Sequence, residues 1–178
     1  SDTNRDRAYA LLRARFSSWE EVAAAPVEEV EDAIRPGGLA PTKAPRIQSA
    51  LRELDGDDLS WLAAADPREA VAYLTALPGV GRKTAACVMI FSFDVPEIPV
   101  DTHVHRVGAR LGLFRPEAPL LEAHDEMLRV VDDADAYELH VNLIRHGRRL
   151  CRPRPRCEEC ELRRMCPWYR GREPRPAG

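Results

Sequence analysis

Four of the five cysteines lie within sixteen residues, at Cys151, Cys157, Cys160 and Cys166. Their C-x5-C-x2-C-x5-C spacing is typical of a metal site, because four thiolates so close together can enclose one cluster or one ion. Disulfides are disfavoured, since nothing in the sequence indicates secretion. Zinc and an iron–sulfur cluster both accept four thiolates, and the spacing alone leaves both open.

Lysine is rare in this sequence, and the two that occur stand out. Of the 26 basic residues only Lys43 and Lys83 are lysine, and all the others are arginine. A guanidinium stays charged, whereas a lysine amine can lose its proton and act as a nucleophile. The pattern therefore indicates a chemical role for a lysine, with a plain surface cation as the alternative.

A tight turn precedes Lys83 in the segment Leu77-Pro78-Gly79-Val80-Gly81-Arg82-Lys83-Thr84-Ala85. Two glycines one residue apart allow a sharp turn and close approach of a partner. A helix beginning near Arg82 would direct unpaired N–H groups and its positive dipole end at an anion, and Arg82 would add charge. The alternative is an ordinary turn between two helices.

The elements that must position these residues are short helices. Aromatic residues make up 6% and apolar runs are short, which argues against a β-sandwich, a β-barrel or a membrane span. We predict an all-α fold in which Pro45 opens a helix, Cys87 is a buried core thiol, and His105, His124 and His140 are surface or packing residues. The predicted helices span 3–16, 19–24, 26–35, 46–54, 58–64, 69–76, 82–93, 102–113, 119–131 and 134–149.

Charge is distributed unevenly along the chain. The net charge is −3, yet the segment from His140 to Gly178 holds eleven arginines and only four acidic residues. A basic segment on an acidic body is consistent with a surface that faces phosphates, and a solvated arginine tail is the alternative. Whichever metal the four cysteines bind, it would fold the cysteine loop and present Arg152, Arg154 and Arg156 to a phosphate.

The segment 77–85, together with Pro99-Val100-Asp101-Thr102-His103-Val104-His105-Arg106-Val107, resembles the endonuclease III branch of the helix-hairpin-helix DNA glycosylases. The resemblance implies that Gly79, Val80 and Gly81 grip a DNA phosphate. It implies that Lys83 is the catalytic lysine and Asp101 the catalytic aspartate, with His103 as a neighbour of the site. Without the resemblance, an Asp before Thr-His-Val is a good helix N-cap.

The chemistry that the resemblance implies is removal of a base from a flipped-out nucleotide. A desolvated Lys83 amine would attack the sugar C1′, expel the base and form a Schiff base, and elimination would then cut the strand. Asp101 would activate the amine or stabilise the cationic sugar. The expected function is excision of oxidised pyrimidines with abasic-site lyase activity.

The same resemblance implies a 4Fe-4S cluster on the four cysteines, although the family usually has six residues between the first two and this chain has five. Leu39, in the segment 38–44, matches the residue that wedges into DNA, and a loop with one buried leucine is the alternative. The set of expected DNA contacts is Leu39, Lys43, Gly79, Val80, Gly81, Arg82 and Thr84.

We expect two lobes, a helical lobe of residues 1–98 and a cluster lobe of residues 99–178. In the family a helix with a space-filling Gln and a further N-terminal helix precede the position of Asp2, so we interpret the sequence as a fragment. The expected partner is duplex DNA with damaged bases or abasic sites, bound by a monomer in the bacterial cytoplasm near the nucleoid, with no membrane involved. The rivals are an adenine-mismatch glycosylase and a catalytically inert DNA-binding module.

Overall fold

The structure is a computed structural model that describes residues 2–171, so the end of the predicted cluster lobe, 172–178, lies outside the described residues. Within this range the chain forms helices and connecting turns without a strand, which confirms the all-α prediction. The α-helices are α1 Asp2–Arg15, α2 Trp19–Ala24, α3 Val27–Ile34, α4 Ala40–Leu54, α5 Pro67–Ala76, α6 Arg82–Ser92, α7 Thr102–Leu111, α8 Leu120–Leu128, α9 Ala136–Arg149 and α10 Pro167–Arg170.

The chain divides after Gly81 into two compact units, Ser1–Gly81 and Arg82–Gly178. The lobe boundary expected after residue 98 stays a prediction. Across residues 2–171, every helix is too short or too polar to cross a lipid bilayer.

The first unit packs α1 to α4 around one apolar core. α1 contributes Leu12, the residue after it contributes Phe16, and α3 contributes Val30, which has no exposed surface. Burial of such side chains is the main favourable term in folding. A polar residue of α4 also lies in this interior, since Gln48 is only 3% exposed. Its Nε2 donates to the carbonyls of Val22 and Ala25 at 2.9 and 2.7 Å, which satisfies the end of α2.

One helix start was predicted wrongly. Pro45 lies inside α4, which begins one turn earlier at Ala40 with Pro41 in its first turn. The carbonyl of Leu39 accepts from the N–H groups of Thr42 and Lys43, so the segment after Leu39 is already helical. Pro41 costs little, because its missing N–H lies in the first turn and has no carbonyl to bond, whereas Pro45 removes the bond that would reach the carbonyl of Pro41.

The second unit has its own core, formed by α7, α8, α9 and the segment 95–100. Val104, Val107 and Met127 have no exposed surface. α7 and α9 come very close, since a Cβ placed on Gly147 would lie 3.1 Å from the Cβ of His103. This spacing fixes α9 against the beginning of α7.

His124 ties the segment before α7 to α8. The N–H of Val100 donates to its Nε2 at 3.0 Å, and its Nδ1 lies 2.7 Å from the carbonyl of Leu120. Both contacts suit a neutral ring with the proton on Nδ1. Burial lowers the pKa of His124 below its usual value, and the nearby Arg82 adds to this effect. Of the two roles that the sequence left open for His124, surface or packing, the structure shows packing.

Cys87 is half-buried, so its prediction as a buried core thiol was wrong. The inward face of α6 carries Ala85, Ala86, Met89 and Ile90. Cys87 lies at the margin of this face, and helical periodicity turns it partly to solvent.

Candidate active site

The hairpin turn is built as its glycines predict. The N–H of Val80 donates to the carbonyl of Leu77 at 3.1 Å, which closes the turn after α5. Gly79 has a φ of +80°, and an added Cβ would lie 2.8 Å from the Cβ of Arg46. Only glycine therefore fits this position without strain. At Gly81 an added Cβ would meet nothing within 4 Å, so its backbone faces open space.

Arg82, the first residue of α6, is held inside the second unit. Its guanidinium donates to both carboxylate oxygens of Glu97 at 2.9 and 3.0 Å. The side chains are 14% and 4% exposed, so this is a buried bidentate ion pair. The guanidinium already has a partner, and any contact of Arg82 with an anion would have to use its backbone.

Lys83 follows in the first turn of α6 and is exposed to solvent. The expectation that its amine is desolvated is therefore wrong for this structure. The reason is geometric, since Lys83 stands in the first turn of α6 and the buried residues of this helix begin only at Ala85.

Asp101 is the N-cap of α7. Its Oδ1 accepts from the N–H groups of His103 and Val104 at 2.8 and 2.7 Å. The capping interpretation of Asp101 is thus confirmed. The cap uses Oδ1 for both bonds, which leaves Oδ2 outside the capping contacts at this position.

His140 is a buried residue on which the charges of both Lys83 and Asp101 act. It lies on α9, is 3% exposed, and interacts electrostatically with both side chains. Its Nδ1 is buried and has no hydrogen-bond partner among the described residues. Burial lowers the pKa of His140, and so does the Lys83 charge, while the Asp101 charge and a hydrogen bond with the Pro99 backbone oppose the shift.

The sequence interpretation placed His140 only among surface or packing residues and missed this position. A signal was present, because His140 shares the buried stripe of α9 with Ala136, Leu143 and Gly147. A titratable side chain on an apolar stripe requires a partner or a task.

His103 turns toward α9. Its Nδ1 lies 3.0 Å from Nη2 of Arg106, whose guanidinium also donates to the carbonyls of Gly147 and Cys151. These contacts join α7 to the C-terminal end of α9 and to the beginning of the cysteine loop.

The four C-terminal cysteines line one small cavity in the second unit, together with Leu150 and His146. The pKa of Cys157 is raised by burial and by the neighbouring Cys151, Cys160 and Cys166. Four thiols that line one cavity are a donor set that a positively charged centre would stabilise as thiolates. Among residues 2–171, however, no three His, Cys, Asp or Glu side chains converge closely enough to hold a single metal ion.

Arg110 anchors the loop that follows Cys151. Its guanidinium donates to Sγ of Cys151 at 3.3 Å and to the carbonyls of Arg152 and Pro153 at 2.7 and 3.1 Å. It also stacks on the Trp168 ring at 4.4 Å from the centroid. The exposed residues Arg152, Arg154 and Arg156 lie on this anchored loop.

Leu39 lies in the first unit and is 74% exposed, so the alternative of a buried leucine is wrong. Its φ of 57° is in the left-handed region, which is uncommon for a residue with a branched side chain. The Nζ of Lys43 donates to the carbonyl of Gly37 at 3.1 Å, which steadies the turn that carries Leu39.

Known proteins resemble this chain over most of its length. A family model described as HhH-GPD superfamily base excision DNA repair protein matches residues 1–130. Endonuclease III of Bacillus subtilis is 38% identical over 167 residues, which cover 93% of this chain and 74% of that protein. This chain belongs to the endonuclease III family. Endonuclease III of Thermotoga maritima is 35% identical over 173 residues, or 96% of this chain and 78% of the relative.

Solved structures of endonuclease III agree with the fold. A trapped covalent endonuclease III–DNA intermediate matches with a TM-score of 0.81 and 32% identity, covering 97% of this chain and 79% of that one. A non-covalent endonuclease III–DNA complex matches with a TM-score of 0.80 and 33% identity, covering 97% and 78%. The predicted family is confirmed.

Proposed function

We propose that this chain, as an endonuclease III family member, removes oxidised pyrimidines from duplex DNA and cleaves the resulting abasic site. Family membership supports base excision repair with glycosylase and abasic-site lyase activity. The observation that carries the residue assignment is the placement of Lys83 in the first turn of α6, directly after the hairpin, and of Asp101 at the N-cap of α7. Both residues lie in the second unit, and the charges of both act on the buried His140.

In the proposed reaction, the Lys83 nitrogen forms a bond to the sugar C1′. The bond from C1′ to the base breaks, and the base leaves with its electron pair and takes up a proton. The Asp101 carboxylate stabilises positive charge on the sugar during departure. The nitrogen then loses a proton, the bond from C1′ to the ring oxygen O4′ breaks and O4′ takes up a proton, which leaves a protonated imine. This imine loses a proton from C2′, and the bond from C3′ to its oxygen breaks. Because Lys83 is exposed in the free protein, bound DNA would supply the desolvation that favours a neutral amine.

Borohydride trapping on an abasic duplex tests this assignment, because reduction of the imine leaves a permanent protein–DNA bond. The chain has only two lysines, so Lys43→Ala is a matched control for Lys83→Ala. We expect the adduct to disappear in Lys83→Ala and to persist in Lys43→Ala. An adduct that survives Lys83→Ala would refute the nucleophile, and tight binding by the unmodified protein without an adduct would favour an inert binding module.

The proposed DNA contacts are backbone groups of the hairpin, Lys43, Thr84, the wedge Leu39 and the arginine loop. Gly79→Ala and Gly81→Ala make a matched pair for the hairpin. We expect Gly79→Ala to perturb the fold, because its φ and the Arg46 contact exclude a Cβ. Gly81→Ala should fold normally and weaken DNA binding, because its Cβ would occupy the space that a phosphate approaches. Equal DNA affinity of Gly81→Ala and the unmodified protein would refute the contact.

Phosphate contacts also predict how binding responds to salt. The affinity for undamaged duplex should fall steeply as salt rises from 50 to about 200 mM, because phosphate binding releases counterions. A flat response would contradict the roles of the hairpin and of Arg152, Arg154 and Arg156.

A panel of duplexes with different oxidised bases would identify the lesion. We place this activity with a monomer acting on bacterial chromosomal DNA in the cytoplasm.

The residues that would hold a 4Fe-4S cluster are Cys151, Cys157, Cys160 and Cys166. When bound, the cluster would supply positive iron centres that stabilise the thiolates and hold the arginine loop in one shape. Four thiols around one cavity fit a polynuclear cluster, whereas zinc requires all four sulfurs about 2.3 Å from one centre. Absorption near ~400 nm with bound iron would support the cluster. A colourless protein with stoichiometric zinc would refute it.

A further inference from the structure

One buried acceptor in the second unit has no bonding partner among residues 2–171. Nδ1 of His140 is shielded from solvent, and the residue as a whole is 3% exposed. The edge of the Phe91 ring contacts the imidazole from α6, with centroids 5.6 Å apart. Buried polar atoms are nearly always paired in native proteins, so an exception calls for a physical reason.

The charged groups that act on His140 are Lys83 from α6 and Asp101 from the start of α7. The ring is kept neutral because burial lowers its pKa. A neutral imidazole has one nitrogen that accepts and one that donates. The carbonyl of Pro99 can only accept, and Nδ1 has no partner among residues 2–171, so Nε2 carries the proton and Nδ1 is the acceptor. Of the two charged groups, the Lys83 nitrogen is the one that can donate to Nδ1.

We propose that His140 is a positioning residue for the Lys83 amine: Nδ1 accepts a hydrogen bond from the ε-nitrogen when Lys83 turns toward a bound sugar. One N–H is then held by His140 and another by the Asp101 carboxylate. The nitrogen lone pair is left directed at the sugar C1′. This role rests on the proposed function of Lys83 as the nucleophile. His140 acts through Lys83 and makes no contact with the DNA.

The position offers a matched pair of variants. His140→Asn places an amide oxygen close to the position of Nδ1, and His140→Gln carries its amide one carbon further away. Both keep a neutral polar side chain on α9. A role that depends on Nδ1 therefore distinguishes them, and a role that needs only a buried polar side chain does not.

The measurement is the single-turnover rate of borohydride-trappable imine on an abasic duplex, taken between pH 6 and about 10 to span the usual titration range of lysine. We expect His140→Gln to lower the plateau rate at high pH by about tenfold to a hundredfold, which is typical of a misplaced reacting group. The rate of imine formation in His140→Asn should remain within about threefold of the rate of the unmodified protein. Binding to a duplex with a tetrahydrofuran abasic analogue should be unchanged in both variants, because this analogue forms no imine.

Three results would overturn the inference. The first is equal imine rates in His140→Gln and His140→Asn at the high-pH plateau. The second is a loss of thermal stability in both variants that accounts for their loss of rate, which would make His140 purely structural. The third is a lower imine rate in His140→Gln at low pH that recovers fully at the high-pH plateau. Failure of the proposed function itself is recognised separately, since an adduct would then survive Lys83→Ala.

Discussion

Each unit of this protein buries a polar side chain on the inward stripe of a helix, and the two side chains differ in whether their polar atoms have hydrogen-bond partners. Nε2 of Gln48 in the first unit donates to two carbonyls at the end of α2, which would otherwise lack a donor. Nδ1 of His140 in the second unit is buried and has no hydrogen-bond partner among residues 2–171. A satisfied buried group adds to stability and to a unique packing arrangement. An unsatisfied one lowers stability, and its persistence beside Lys83 and Asp101 fits a function instead.

The comparison predicts that substitution of the satisfied Gln48 lowers stability and leaves activity unchanged, whereas substitution of the unsatisfied His140 lowers activity. Four changes test the separation on one scale, the free energy of unfolding measured with denaturant.

The largest effect is expected for Glu97→Ala. This change leaves the Arg82 guanidinium buried without its partner, and breaking a buried ion pair costs about 3–5 kcal/mol. Glu159→Ala is the matched control, since its pair with Arg156 is about half exposed and such pairs contribute about 0–1 kcal/mol. Similar losses in both variants would show that burial does not distinguish these pairs.

The next effect is expected for Gln48→Leu. The side chain keeps its approximate volume, but the carbonyls of Val22 and Ala25 lose their donor, which costs about 1–3 kcal/mol. Imine formation at saturating DNA should be unchanged. Arg52→Ala serves as the control, because Arg52 also donates to a carbonyl of α2 but is exposed. A reduced imine rate in Gln48→Leu would remove the contrast with His140.

A smaller effect is expected from acid. The pKa of His124 is lowered in the folded protein by burial, so the folded state resists a proton that the unfolded chain accepts. Its stabilising contribution is complete above the unfolded pKa of about 6.5 and is lost as pH falls through the folded value, at up to about 1.4 kcal/mol per pH unit. His140 shifts in the same direction. His124→Gln should reduce the slope below pH 6.5, and an unchanged slope would contradict this source.

The smallest effect on stability is expected for Leu39→Ala. Leu39 is 74% exposed, so the free energy of unfolding should stay within about 0.5 kcal/mol. Base excision from a lesion duplex should slow markedly, because the wedge that replaces the extruded base is lost. Imine formation on a preformed abasic site should slow less. Equal slowing on both substrates would contradict a wedge.

Local signals in the sequence predicted much of the fold. Ser18 accepts from the N–H of Glu21 and Asp66 caps α5, both residue types that favour the N-cap position. Gly79 was predicted correctly because a positive φ is a local requirement. Pro45 was misjudged because the start of α4 is set by its packing on α2 and α3.

The candidate site was predicted in part. The types and spacing of Lys83, Asp101 and the four cysteines indicated the chemistry through a family resemblance, and the family is confirmed. The exposure of Lys83 and the position of His140 were not predicted. Both depend on which face of a helix packs against which neighbour.

The order of residues determined the glycine turn, the N-cap at Asp101, the cysteine spacing and the helical character of the chain, because each depends on contacts within a few residues. The folded arrangement of α6, α7 and α9 decided the rest: it buried Arg82 with Glu97, left Lys83 exposed and brought the buried His140 within electrostatic range of Lys83 and Asp101. Helix packing joins residues that are some fifteen to sixty positions apart, and no short-range pattern encodes which of their side chains will share a buried environment.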